Sequence, residues 1–161
     1  PLIVFQHDVS TFESGVDGWT GSALDTCGSF GGVLGGPGRF GSTSVVSKMV
    51  NDLPPHSMVR VVMDIIALDN WEADDSYTVV VDGTSFGPYD QDTGNLDAVE
   101  QVCGSPADPF GLPSGSGIDT VRHLQLDIPH GGTTLTVSVV SALDQSAADE
   151  SIAISEVVIS I

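Results

Sequence analysis

A chain of 161 residues can bury a substantial core without metals or cross-links, and a 40% hydrophobic content sets it apart from disordered polypeptides. Its 22 acidic side chains stand against four lysines and arginines, a net charge of −18 that excludes nucleic acid and anionic membrane as partners. No apolar run reaches the length of a membrane span, which excludes direct membrane insertion by a helix.

The segments are predicted in chain order from period-two alternation. LIVFQHDV, GWTGSA and TSVVSKMV read as the first strands. VRVVMDIIALD carries apolar residues on both faces, as a central strand does. Arg60 and Asp64 fall on one face of it, four residues apart, and are expected to neutralise one another. YTVVVDG follows as a strand. The stretch from about 87 to 117 is polar and reads as a long loop, the kind that is usually functional. In HLQLDIPH, Leu124, Leu126 and Ile128 alternate with polar residues, and in TLTVSVV, Leu135, Val137 and Val139 do the same. The HGG between them signals a tight hairpin. IAISEVVISI closes the chain as a last strand. Some eight or nine short strands without a convincing amphipathic helix predict an all-β fold, an antiparallel two-sheet sandwich occupying residues 1–161 as one domain.

LDNWEADDSY raises the question of why an apolar strand ends in a burst of negative charge. Asp69, Asn70, Glu72, Asp74 and Asp75 offer oxygen ligands within seven residues. LDQSAADES adds Asp144, Asp149 and Glu150. Oxygen-only clusters suit a hard cation, and calcium takes six to eight such ligands. The spacing is not that of an EF-hand. If both loops lie at one end of the sandwich they complete one site or two adjacent ones; two solvated acidic loops are the alternative. Trp71, inside the first loop, either plugs the open end of the core or stacks on a sugar ring, and Tyr89 in the long loop is the better exposed aromatic. These two are the candidate ligand-binding side chains.

The two cysteines, Cys27 and Cys103, are an even pair in an acidic, glycine-rich chain, which suggests one disulfide and an extracellular or cell-surface setting. Two buried free thiols are the alternative. The chain starts at Pro1 without methionine or signal peptide, so a mature chain or a domain of a larger multidomain protein is expected.

The order of features carries a resemblance. TFESGVDGWTG opens the chain, SFGGVLGG follows, and a strand closes on LPPH. The VRVVMDIIALDNWE strand with its acidic loop comes next, then YTVVVDG, and ALDQSAADES precedes the final IAISEVVIS strand. This resembles the jelly-roll sandwich of MAM domains and many carbohydrate-binding modules, most closely the secreted and cell-surface versions of protists and algae. Such modules often hold a structural calcium between the glutamate of an opening Phe-Glu and an acidic residue on the last strand. Glu13 matches the first. On the last strand Ser155 stands where aspartate is usual and Glu156 is one step on, an offset expected to point it to the opposite face. Glu13 and Glu156 are therefore the candidate second metal site.

Enzyme signatures are absent: there is no HExxH, GxSxG or GxxxxGK[ST]. The four histidines, His7, His56, His123 and His130, are scattered without zinc spacing. Glu72-Ala73-Asp74 begins an ExDxxE pattern, but Tyr77 replaces the closing glutamate. The expectation is a non-catalytic extracellular module that binds calcium and contacts a glycan or a protein in adhesion or surface assembly. The second expectation is a carbohydrate-binding module whose calcium is structural.

Overall fold

The computed structural model describes residues 5–69, 71–91, 96–99, 103 and 119–161. Two antiparallel sheets pack face to face as a jelly-roll β-sandwich. The larger sheet runs β2 (Leu24–Thr26), β3 (Gly32–Gly35), β11 (Glu150–Ser160), β5 (Met58–Asp69), β9 (Asp119–Pro129) and β8 (Leu96–Val99). β1 (Gln6–Ser10) pairs with the C-terminal half of β11, along the edge that β3 occupies further up. The smaller sheet runs β4 (Val45–Val50), β10 (Leu135–Ala142), β6 (Ser76–Val81) and β7 (Thr84–Tyr89).

The period-two pattern explains the core. Val59, Val61, Met63 and Ile65 of β5 face inward with Leu124, Leu126 and Ile128 of β9, and meet Val137 and Val139 of β10 and Val79 and Val81 of β6. β5 lies between β11 and β9, and its other face is also covered at one end. There Ile66 and Leu68 join Val121, Ala153, Val33 and Cys27 in a second apolar layer. The Cys27–Cys103 disulfide, with Cα atoms 5.0 Å apart, belongs to that cover.

Several sequence expectations are corrected. GWTGSA is not a strand: Thr20 makes an isolated bridge to Ser47, because Gly18 and Gly21 take φ of 84° and 98° and break the extended run. The predicted long loop contains part of β7 and the whole of β8, and residues 92–95, 100–102 and 104–118 lie outside the described residues. Eleven strands are present among the described residues rather than eight or nine, with one short 3-10 turn at Gly28–Phe30. HGG does not form a hairpin. β9 and β10 lie in different sheets, and a five-residue connection, 130–134, carries the chain across the core edge.

Arg60 and Asp64 do not pair with one another. Four residues along a strand are about 13 Å, whereas directly opposed residues on neighbouring strands are about 5 Å apart. Each therefore finds a partner on β9: Arg60 Nε donates to Asp127 at 2.6 Å, and the His123 ring lies 2.6 Å from Asp64.

Candidate metal centre

The sheet order decides which loops meet. β5 pairs with β11 in one sheet, and β6 pairs with β10 in the other. The connections β5–β6 and β10–β11 therefore cross between the sheets side by side at the same end. Asp69, at the end of β5, adopts φ +68° and turns the chain out of the sheet. Asp75 then folds the loop on itself: its backbone N–H donates to the Glu72 carbonyl at 3.1 Å, and the Glu72 N–H donates to Asp75 Oδ2 at 2.6 Å. Opposite, the N–H groups of Asp149 and Glu150 both donate to the Ser146 carbonyl, curling the second loop. Gly41 lets the β3–β4 connection lie against this curl, since a Cβ there would stand 2.7 Å from the Glu150 carbonyl oxygen.

The two curls bring Glu72, Asp75, Asp144 and Glu150 together, with one carboxylate oxygen of each within 4.8 Å of the others. Asp75 and Glu150 are buried, Glu72 is half-buried and Asp144 is exposed, so the group opens to solvent on one side. Gln145 ties the two loops by donating from its side chain to Glu72 Oε1 at 3.0 Å and from its backbone N–H to Glu150 Oε1. Oε2 of Glu72 and Oε2 of Glu150 are buried and face no donor.

The electrostatics match that geometry. Burial, then the Asp75 carboxylate beside it, push Glu150 up to about 8, with the Gln145 N–H opposing the shift and the Glu72 charge adding to it. Burial raises Glu72 as well, followed by its hydrogen bonding with the Asp75 carboxyl and then the charges of Asp75, Asp144 and Asp149. Four carboxylates with too few donors repel one another unless a proton or a cation lies among them.

The other candidate residues lie apart. Asp69 is buried outside the group, and its backbone N–H donates to Asp119 Oδ1. Asp74 is exposed, and Asn70 lies outside the described residues. Asp149 is buried close enough for its charge to act on Glu72 but is not one of the four. Trp71 is only 9% exposed. Its ring meets Tyr77 edge-on at 6.2 Å, and its Nε1 donates to the Leu68 carbonyl. It is a core plug at this end of the sandwich and offers no face for a sugar. Tyr89 is half-buried between Tyr77 and Arg122, the guanidinium standing 5.0 Å from its ring centroid.

Glu13 and Glu156 line one shallow depression on the outer face of the larger sheet, together with Asp64 and Ser155. The one-residue offset does not send Glu156 to the opposite face. A β-bulge between Ile154 and Glu156 absorbs it: Ile154 and Val157 both face the core, and the two residues between them stay outside. One Glu13 oxygen is engaged by the Gly32 N–H at 3.1 Å, and this depression is not among the carboxylate groups close enough to share an ion.

No protein-family model and no curated protein matches the sequence. Among solved structures, a family 35 carbohydrate-binding module from an environmental isolate shares 14% identity at a TM-score of 0.48, over 98% of this chain and 92% of that one. A carbohydrate-binding module studied for specific mannan recognition shares 15% at 0.49, over 98% of each chain. A family 35 module from Clostridium thermocellum shares 16% at 0.46, over 100% of each. Likeness of this degree concerns the course of the chain and assigns no ligand to it.

Proposed function

We propose that this chain is a non-catalytic, extracellular recognition module whose loop end is organised by one calcium ion. The ion is held by Glu72, Asp75, Asp144 and Glu150. One observation carries the reading: two of the residues in a four-carboxylate group, Glu72 and Glu150, each keep a buried oxygen, Oε2, that meets no donor. An all-oxygen set, partly open to solvent for water ligands, matches calcium rather than zinc or copper. The Cys27–Cys103 disulfide supports an oxidising compartment.

Calcium here acts by holding the β5–β6 and β10–β11 loops in one arrangement, so that a ligand meets a preformed surface. The ligand class proposed is a glycan, in keeping with the resemblance of the sequence to jelly-roll modules that bind carbohydrate. A protein partner in adhesion is the second reading, favoured by Val45 and Met49, which are 47% and 61% exposed on edge strand β4.

Isothermal titration with calcium and with magnesium tests the ion. One saturable calcium event, absent in Glu150→Gln, supports the site; no heat with either cation removes it. A glycan array in calcium and in EDTA then separates the ligands. Chelator-sensitive glycan capture supports the first reading, and calcium-dependent self-association or protein capture without glycan binding supports the second.

A further inference from the structure

At the opposite end of the sandwich the β4–β5 and β9–β10 connections bring two histidines together that are 74 residues apart in sequence. The rings of His56 and His130 meet edge to edge, with centroids 4.9 Å apart and planes 16° from parallel. His56 Nε2 and His130 Nδ1 lie 2.6 Å from each other.

The acceptors around the pair settle the other two ring nitrogens. His56 Nδ1 stands 2.6 Å from the Pro54 carbonyl oxygen and must carry a hydrogen to donate there. His130 Nε2 faces Asp82 Oδ2 at 2.9 Å and the Thr134 carbonyl at 3.0 Å, both acceptors, and must also carry a hydrogen. In two neutral imidazoles this leaves lone pairs on His56 Nε2 and His130 Nδ1, aimed at each other. Lone pairs in that position need a positive centre between them.

We propose that His56 Nε2 and His130 Nδ1 are a binding site for a borderline divalent metal, zinc in the first place. Imidazole nitrogen suits zinc, whereas the carboxylate group at the other end suits a hard cation. The surroundings are those of a metal-bound histidine: each ligand ring gives its second N–H to an oxygen acceptor, which fixes the tautomer and the ring orientation. Asp82, on the β6–β7 turn, holds His130 in this way and also accepts from the Thr136 N–H at 2.7 Å. Zinc–nitrogen bonds of about 2.1 Å at a tetrahedral angle set the two nitrogens about 3.4 Å apart. The nitrogens must therefore part by about 0.8 Å and the rings turn toward a common point, and His56, in a strand-free connection between β4 and β5, supplies that movement. Water completes the coordination on the solvent side. The site is independent of the calcium reading, since no residue is shared.

The test is zinc titration of the full chain labelled with 15N-histidine, in excess calcium to keep zinc from the carboxylates. The expected result is a shift of two ring nitrogens, His56 Nε2 and His130 Nδ1, saturating at one equivalent. His56→Asn should abolish that saturation, while His7→Asn and His123→Asn should leave it intact. His56 lies at the surface of a loop, so its variant folds, and circular dichroism verifies this. Three results overturn the proposal: no shift with zinc, equal shifts at all four histidines, or a proton held between the two rings that zinc does not displace.

Discussion

Asp75 and Asp144 are joined across 69 residues of sequence: the Asp144 N–H donates to Asp75 Oδ1 at 3.1 Å. The same carboxylate accepts the Glu72 N–H at 2.6 Å through its other oxygen. Asp75, 1% exposed, is therefore a clasp between the two acidic loops as well as a candidate ligand. Its two functions separate by pH. At pH 5, where Glu150 with its value of about 8 is already protonated, Asp75→Ala leaves two N–H groups without acceptors. The expected cost is about 3 kcal/mol, read by urea denaturation in EDTA.

Glu150 adds a distinct pH dependence to the calcium-free protein. Its carboxyl ordinarily titrates at 4.5 and is raised to about 8 in the fold, chiefly by burial and by Asp75. Between those values the folded chain binds a proton that the unfolded chain has released. The contribution of Glu150 to stability in EDTA is therefore fully present below 4.5, falls as pH climbs, and is lost past about 8. Glu150→Gln should flatten that fall and raise the melting temperature at pH 7.5, because the amide is neutral without taking up a proton on folding and keeps the shape. Melts in EDTA across pH 4–9 measure both.

The Cys27–Cys103 bond closes a loop with a sequence separation of 76 and fastens the cover over Ile66, Leu68 and Val121. Chain entropy alone assigns about 4 kcal/mol to such a closure. Cys103→Ser should lower stability by that order in denaturant and increase binding of an apolar dye, as the second layer loosens from the sheet.

Lys48 points inward from edge strand β4, with its side chain 8% exposed, and donates to Asp8 at 2.6 Å and to Ser10 at 3.0 Å. An inward lysine on an edge also discourages edge-to-edge pairing. Lys48→Met should cost about 2 kcal/mol, less than a fully buried pair because Asp8 keeps a quarter of its side chain in water. Equilibrium denaturation gives the stability change, and light scattering registers any added association.

Much of the fold was legible because alternation reports burial directly. Leu124, Leu126 and Ile128 could face only a core, and the two-faced apolar run of β5 marked the central strand. Sheet membership was not legible: HGG reads equally as a hairpin or as a crossover, and only packing decides. The pairing of Arg60 and Asp64 failed for a similar reason, since same-strand spacing is visible in a sequence and cross-strand register is not. At the acidic end, composition pointed to both loops but not to which oxygens converge; the curls at Asp75 and Ser146 select four of them. His56 and His130 left no local signal at all, because the topology alone brings the β4–β5 and β9–β10 connections together.

The most direct measurement is the thermal melt of the wild type and Glu150→Gln, each in EDTA and in 10 mM calcium at pH 7.5. A site of about 0.1 mM, within the range of extracellular calcium modules, gives about 2.7 kcal/mol at that concentration, or roughly 5–10 °C for a chain of this size. The account predicts that rise in the wild type, a higher starting point in Glu150→Gln, and no calcium response in the variant. Equal wild-type melts in EDTA and calcium would contradict it, leaving the four carboxylates a proton-sharing cluster rather than an ion site.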